Sequence, residues 1–390
     1  MKLVFVHDGP IFYDKNNNYF EFAYHELFER YSYLADEITF MMRTKPIEGE
    51  KKFTLVPKAI NIVDIPNFKS PKTYIKNRKK AEIIIKKCIY ENDYIVLRSQ
   101  SSIAQIAIKY IKKYNKPYII ECVGCSWDSY WNHSYLGKIV APYMYYKTRN
   151  IIKHADFVYY VTTKFLQKRY PTKGTTVCCS NVVLEPIEKK ILSERIQKIK
   201  NFNPSKKLIL GTAAAIDTRY KGQEYVIQAI KHLEANGYNV EYWLAGGVTG
   251  LKPNTFLHDL ALSYGILDKV KFVGSLSAKQ MPEFYDSLDI YIQPSKQEGL
   301  PRAVIEAMSR GCPVIGSNLA GIPELLPPDC LFKKGKYKEI VSSINYIIKS
   351  DMEKLAIRNF EYVQKYEKNL LQLKRQAFYD EFLKNVNSNV

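Results

Sequence analysis

Two carboxylates stand out for their setting. In the run Pro294-Ser295-Lys296-Gln297-Glu298-Gly299-Leu300-Pro301-Arg302-Ala303-Val304-Ile305-Glu306-Ala307-Met308, seven residues separate Glu298 from Glu306. The pattern reads as a strand end, a loop punctuated by Gly299 and Pro301, and a helix beginning near Arg302. The first amides of such a helix lack intrahelical partners and carry the positive end of the dipole, so they can receive a diphosphate or sugar hydroxyls. Glu298 falls in the loop and Glu306 about one turn inside the helix, where both can point into one cleft. An ionised carboxylate accepts two hydrogen bonds, which suits Glu306 to a vicinal diol such as a ribose. In isolation the spacing is uninformative: Glu298 is then a favourable charge near a helix N-terminus and Glu306 a solvated helix residue.

The elements that must carry these residues form two strand-helix series. Short apolar runs at Leu3–His7, Glu37–Met42, Tyr94–Arg98, Tyr118–Cys122 and Phe157–Val161 predict buried strands, with helical patterns between several of them. That alternation predicts a parallel sheet covered on both faces. A charged, low-complexity stretch around Glu185–Ser205 reads as a linker. The pattern then restarts, with strands at Lys207–Gly211, Val240–Ala245, Val270–Val273, Ile290–Gln293 and Val314–Gly316. Helices between them at Gln223–Asn236, Phe256–Tyr264 and Ala303–Arg310 each end at a glycine, and another spans Ala278–Ser287. The expected α/β organisation is a first doubly wound domain over residues 1–190, a linker over 191–205, a second doubly wound domain over 206–351, and a helical segment over 352–390 packing back on the first. Two such domains facing each other would form a cleft, and ligands of such sheets bind beyond the carboxyl ends of the strands.

Composition narrows the class. The chain has 390 residues and a formal net charge of +19, and residues 1–190 hold 31 Lys and Arg against 18 Asp and Glu. A basic surface attracts nucleic acid, anionic lipid or phosphorylated substrates. The sequence has no zinc-finger spacing and no RNP-type aromatic motif, so no nucleic-acid partner is expected. The N-terminal apolar segment is short and ends in Asp8 and Gly9, which reads as a core strand rather than a signal peptide, and a cytoplasmic location is expected. The seven Cys include the Cys122/Cys125 pair and adjacent Cys178 and Cys179. Neither has the partners of a zinc site, and reduced buried thiols are expected.

The run from Ser295 to Leu326, including Gly311-Cys312-Pro313-Val314-Ile315-Gly316-Ser317 and Gly321-Ile322-Pro323-Glu324, resembles the signature of the family 4 retaining glycosyltransferases, which have the GT-B fold. The resemblance implies that Glu306 binds the ribose of a nucleotide-sugar donor. It implies that Glu298, with the backbone of Gly299, Leu300 and Pro301, holds the donor sugar. Gly211-Thr212 followed by Lys221-Gly222-Gln223 resembles the family's phosphate-binding loop, where an Arg and a Lys neutralise the donor diphosphate. Lys221 matches the Lys. Ile216 occupies the usual place of the Arg, and Arg219 is the stand-in. Ala245-Gly246-Gly247 and Phe272-Val273-Gly274-Ser275 resemble strand ends near the nucleotide, and Gly9-Pro10 a loop that meets the phosphates.

Transfer of a sugar from a diphosphate passes through an oxocarbenium-like state while negative charge grows on the leaving phosphate, so Lys221, Arg219 and a helix dipole are apt groups. The sequence has no Asp-x-Asp, and metal independence with no cofactor is expected. On the acceptor side, the family's usual His is not in its place. Asp128 and His133 are the local polar candidates, and Trp127, Tyr130 and Trp131 offer an aromatic floor for a sugar. Residues 73–90 predict an amphipathic helix with Ala81, Ile84, Ile85 and Cys88 on one face and Lys76, Lys80 and Lys87 opposite. With the basic, aromatic stretch Tyr143, Tyr145, Tyr146, Lys147, Arg149 and Lys153, it suits an anionic membrane surface. The expected acceptor is a hydroxyl of a glycan or of a polyprenyl-diphosphate-linked intermediate in cell-surface polysaccharide assembly. A sugar-nucleotide epimerase of similar fold and a non-catalytic accessory subunit are the alternatives.

Overall fold

The structure is a computed structural model describing residues 1–21, 25–47, 54–203, 206–248 and 255–388. The chain divides into two compact units, Met1–Cys179 with Gln372–Val390, and Ser180–Leu371.

The first unit is built on a seven-stranded parallel sheet. Its strands run in the spatial order Thr175–Cys178, Phe157–Tyr160, Tyr118–Cys122, Tyr94–Arg98, Lys2–Val6, Glu37–Met42 and Ile60–Asp64. Leu3, Val4, Phe5 and Val6 are fully buried, because a parallel strand covered on both faces needs apolar side chains at consecutive positions. The two edge strands were not among the expected elements. Thr175, Thr176, Asn61 and Asp64 break their apolar runs, as suits strands with one side toward solvent. A small second sheet, of Ile11–Tyr13, Tyr19–Glu21, Thr44–Pro46 and Thr54–Leu55, was also unanticipated.

Helices cover this sheet. Pro71–Glu91 opens on a capping box between Ser70 and Thr73 with proline at its first position, and it buries Ala81, Ile85 and Cys88 as expected. Ala104–Lys113 lies beside it, with Lys109 and Tyr110 both bonded to Glu82. Tyr135–Lys153 joins the same layer, its Thr148 hydroxyl meeting the Gln105 amide of that helix.

The second unit carries a six-stranded parallel sheet in the order Val270–Gly274, Val240–Ala245, Leu208–Ala213, Ile290–Gln293, Val314–Ser317 and Leu331–Phe332. Leu208–Ala213 pairs with Val240–Ala245 on one side and with Ile290–Gln293 on the other, so the chain reverses its direction of winding there. Loops beyond the carboxyl ends of Leu208–Ala213 and Ile290–Gln293 are therefore neighbours, at the place where open α/β sheets bind ligands.

Part of the expected linker is a structural clamp. Lys189–Lys200 is helical, and its buried Arg195 donates to the carbonyls of Arg310, Leu288 and Tyr285 at 3.0, 2.7 and 2.7 Å. Lys198 adds bonds to the carbonyls of Asp286, Ser287 and Leu288. These two cations close the C-terminal ends of Met281–Ser287 and Arg302–Ser309, where orphan carbonyls accumulate. Residues 204 and 205 of that stretch lie outside the described residues, as do the last two of the chain. The segment read as 352–390 divides. Met352–Val363 belongs to the second unit, where Asn359 bonds to the Cys312 carbonyl at 2.9 Å. Phe378 and Phe382, from Lys368–Ser388, pack on Phe157 in the first.

Candidate functional site

In the second unit, Gly222 lies between the 3₁₀ turn Arg219–Lys221 and the helix Gln223–Ala235, with φ of 75°. A Cβ on Gly222 would sit 2.1 Å from the Pro294 carbonyl oxygen, so only glycine lets the turn lie against the start of the Pro294–Glu298 loop. The two segments are tied by the Lys296 amide donating to the Tyr220 carbonyl at 2.7 Å and by a Lys296–Glu224 ion pair at 2.8 Å.

That approach delivers Lys221 to Glu298, with Nζ 2.7 Å from Oε1. The same oxygen accepts from the Ser295 hydroxyl at 2.7 Å and the Gln293 amide at 3.0 Å. Behind it, the Gln293 Oε1 accepts from the Tyr291 hydroxyl at 2.7 Å, and that hydroxyl accepts from the Ala213 amide at 3.3 Å. Tyr291, Gln293 and Ser295 are buried. Burial pushes the Tyr291 phenol well above its usual range, so it stays protonated and donates.

Glu306 is held separately. Its helix, Arg302–Ser309, begins after Pro301, whose side chain offers no cap. Glu306 Oε2 accepts from the buried Tyr285 hydroxyl at 2.8 Å, and Oε1 lies 3.9 Å from an Arg302 nitrogen. Gly321 lets its own segment close on the loop, donating to the Gly299 carbonyl at 2.9 Å where a Cβ would clash at 2.4 Å.

Other expected residues fall differently. The Arg219 guanidinium lies over the Phe256 ring, 3.3 Å from its centroid, while Lys221 on the same turn faces Glu298. Thr212 is buried, its hydroxyl donating to the Ile292 carbonyl and accepting from Tyr242, and Gly211 is closed over by Leu288. Both serve the packing of the sheet. Gly246 abuts the Ala214 carbonyl and donates to the Gly274 carbonyl at 2.8 Å, so these strand ends pack on each other. Val273 is half-buried, and the space beside Gly274 is open. Among the described residues, no three His, Cys, Asp or Glu side chains gather as a metal site, and all seven cysteines are free thiols, six of them buried.

A model of the family described as glycosyl transferases group 1 matches residues 193–365, which span this site. Protein CapJ of Staphylococcus aureus is 31% identical over 383 residues, covering 96% of this chain and 94% of that protein. The chain belongs to the group 1 glycosyl transferases. Among solved structures, Anabaena Alr3699/HepE in complex with UDP-glucose superposes with a TM-score of 0.65 at 17% identity, covering all of both chains. WaaG, a glycosyltransferase involved in lipopolysaccharide biosynthesis, superposes at 0.63 and 16% identity, over 96% of this chain and 98% of that one. The fold of this glycosyltransferase is therefore GT-B.

In the first unit of the transferase, Gly9 has φ of 60° and donates to His7 Nδ1 at 3.1 Å. Burial and the nearby Arg98 charge lower His7 to about 3, which keeps the imidazole neutral and its Nδ1 able to accept. Asp8, overlooked in the sequence, is buried beside them. It accepts from the hydroxyls of Ser101 and Ser102 and the Ile103 amide, and pairs with Lys69 at 2.6 Å. Burial opposes its ionisation, but Lys69 and these bonds outweigh it and hold Asp8 at about 2. Trp127 and Trp131 stack on each other, centroids 5.3 Å apart and planes at 16°. Asp128 and Tyr130 are half-buried beside them, and His133 is exposed.

Sequence reasoning missed Tyr285, Tyr291 and Gln293 in the transferase. A signal existed: Tyr291, Gln293 and Ser295 alternate along the end of a buried strand, which puts three polar groups on one face that must find partners.

Proposed function

We propose that this glycosyltransferase is a retaining, metal-independent enzyme of family 4 that moves a sugar from a nucleoside diphosphate sugar to a hydroxyl of a glycan or lipid-linked acceptor in cell-surface polysaccharide assembly. The observation that carries the reading is the contact of Lys221 with Glu298 beside the uncapped start of the helix that bears Glu306. In this reading Glu306 accepts the ribose hydroxyls and Glu298 a sugar hydroxyl. The amides of Gly299 and Leu300 join Glu298 on the donor sugar, Pro301 fixes the loop, and Lys221 meets the diphosphate. Swinging Arg219 off Phe256 adds a second cation. Gly246, Val273 and Gly274 border the nucleotide, and Gly9 the phosphates. The leaving phosphate accepts the proton of the acceptor hydroxyl, so front-face attack needs no separate base. Asp128, His133, Trp127 and Trp131 remain the acceptor-side candidates. The UDP-glucose complex of HepE and the lipopolysaccharide role of WaaG support the donor and acceptor classes.

A thermal-shift screen over nucleotide sugars tests the donor reading, because a bound donor stabilises the fold by mass action. No stabilisation by any nucleotide or nucleotide sugar sinks it. Loss of turnover on chelation, restored by magnesium or manganese, sinks metal independence. The epimerase alternative draws no support from the relatives above, and it requires an epimer when donor is incubated alone. The accessory-subunit alternative requires that the pure protein never turn donor over.

We also propose that the first unit docks on an anionic membrane surface, where a lipid-linked acceptor would lie. The outer face of Tyr135–Lys153 exposes Tyr135, Leu136, Ile139, Tyr143 and Tyr146, flanked by Lys138, Lys147 and Lys153, and that helix contains no acidic residue. Tyr145 and Arg149, from the basic and aromatic stretch expected to suit that surface, instead turn in to the Arg169 carbonyl. In the same helical layer, Pro71–Glu91 exposes Ile75, Ile83 and Tyr90 among lysines. Aromatic and aliphatic tips among exposed lysines suit the headgroup region of an anionic bilayer. Among the described residues, no helix is long and apolar enough to cross one.

A further inference from the structure

The hydrogen bonds around Glu298 are lopsided. Lys221 Nζ, Gln293 Nε2 and Ser295 Oγ all converge on Oε1, at 2.7, 3.0 and 2.7 Å. Among the described residues, Oε2 accepts from none. The Glu298 side chain is only 10% exposed, so its free oxygen is an acceptor kept from most solvent.

The donor chain behind Oε1 has one direction. The Ala213 amide donates to the Tyr291 hydroxyl, which therefore turns its own proton to Gln293 Oε1. With its oxygen committed to Tyr291, the Gln293 amide must present its NH₂ group forward. One hydrogen meets Ser295 Oγ at 2.9 Å and the other meets Glu298 Oε1. Ser295, having accepted from Gln293, donates to Glu298. Every proton in this relay has one acceptor. Reversing the Gln293 amide would set its carbonyl oxygen against the Glu298 carboxylate.

We propose that Tyr291 and Gln293 are positioning residues that orient the Glu298 carboxylate so that Oε1 stays with the protein and Oε2 is offered to a hydroxyl of the donor sugar. The proposal rests on the reading of Glu298 as the sugar-binding carboxylate. It adds that recognition of the sugar begins at the Ala213 amide and runs through two side chains that never touch the ligand. A carboxylate free to rotate would lose part of its sugar contact, whereas the contact of the enzyme with nucleotide would persist.

The test compares binding of the nucleotide sugar that most stabilises wild-type protein, from a panel of UDP- and GDP-sugars, with binding of its nucleotide alone. Calorimetry on wild type, Tyr291→Phe, Gln293→Met, Glu298→Gln and the Tyr291→Phe/Glu298→Gln double variant supplies the values. Tyr291→Phe and Gln293→Met should each weaken the nucleotide sugar by about five- to tenfold, the scale of one or two hydrogen bonds, and leave the nucleotide unchanged. Tyr291→Phe should add nothing in the Glu298→Gln background. Equal weakening of nucleotide and nucleotide sugar would mean that Tyr291 and Gln293 merely support packing, and no change in either would mean that Glu298 needs no relay. Both results overturn the proposal while leaving the donor reading intact. If Glu298→Gln binds the sugar nucleotide like wild type, or wild type binds none of the panel, the donor reading itself fails and the relay with it.

Discussion

Tyr285 and Tyr291 pack edge to face, with ring centroids 5.7 Å apart and planes at 69°, and each serves a different glutamate. Tyr285 donates directly to Glu306, and Tyr291 reaches Glu298 through Gln293. The two carboxylates singled out by their spacing therefore share one buried aromatic support, and a shift of either ring would disturb both.

The two glutamates should nevertheless separate in binding experiments. Ribose is present in a nucleotide and in its sugar conjugate, so Glu306→Ala should weaken both, by about 10- to 100-fold for the loss of charged hydrogen bonds. Glu298→Gln should weaken only the conjugate. Calorimetry with both ligands reads the difference, and a Glu306→Ala variant that binds nucleotide normally removes the ribose assignment.

Lys221 has a different signature. In the proposed reading its charge offsets the negative charge that grows on the leaving diphosphate, so Lys221→Met should lower kcat by about 10²- to 10³-fold, the scale seen when one transition-state donor is removed. Steady-state kinetics should show a smaller change in KM than in kcat. A purely raised KM would assign Lys221 to ground-state binding alone.

Gly222→Ala tests the joint between the two loops. The alanine backbone would have to adopt φ near 75°, and its Cβ would meet the Pro294 carbonyl oxygen at 2.1 Å. Calorimetric unfolding should register a loss of about 1–3 kcal/mol. Activity should fall with it, because Lys221 is displaced from Glu298. Wild-type stability in this variant would show that the turn has room to move.

His7 should make stability depend on pH. Its folded value of about 3 lies below the 6.5 of a free imidazole, so the unfolded chain binds more protons between those limits. The contribution of the neutral imidazole is complete above about 6.5 and is lost progressively as pH falls toward 3. Asp8, held at about 2 against 3.8, contributes above about 4 and loses its contribution as pH falls through its folded value. Urea midpoints at pH 7 and pH 5 should therefore differ less in His7→Asn, whose side-chain oxygen can still accept from Gly9. An unchanged pH slope in that variant would locate the dependence elsewhere.

For the membrane face, flotation with vesicles of anionic lipid should recover the wild-type protein, and neutral vesicles should not. Lys138→Glu with Lys147→Glu should abolish recovery, since each basic residue near such a surface is worth about 1 kcal/mol. Ile139→Asp should do the same with little change in net charge. Binding indifferent to salt and lipid charge would count against the surface.

Much of this architecture was legible because buried parallel strands announce themselves. Leu3–Val6, Tyr94–Leu97 and Ile290–Ile292 are continuous apolar or aromatic runs, and helices such as Gln223–Ala235 end beside glycine. Edge strands escaped because Asn61, Asp64 and Thr175 make them look like loops. The Lys189–Lys200 helix escaped because Arg195 resembles a solvated charge until the carbonyls of Tyr285, Leu288 and Arg310 surround it. In the site, Glu298, Glu306 and Lys221 were recognisable by type and setting. That Lys221 meets Glu298 across 77 residues was not, because it depends on two strands becoming neighbours. The hydrogen bonds of Thr212 escaped for a related reason: its hydroxyl is consumed by Tyr242 and Ile292, partners distant in sequence.

The strand order also sets a timetable for synthesis. Gly211 pairs with Tyr291, and the two intervening strands, Val240–Ala245 and Val270–Gly274, are laid on the far side of Leu208–Ala213. A chain leaving the ribosome can therefore build one flank of the sheet while Lys221 still has no Glu298 to meet. Closing such a long loop is the slow, entropically costly step in a parallel sheet. The carboxylate, its lysine and its tyrosine relay can meet only once Ile290–Gln293 has joined Leu208–Ala213, and a chain cut short before that strand lacks Tyr291, Gln293 and Glu298 altogether.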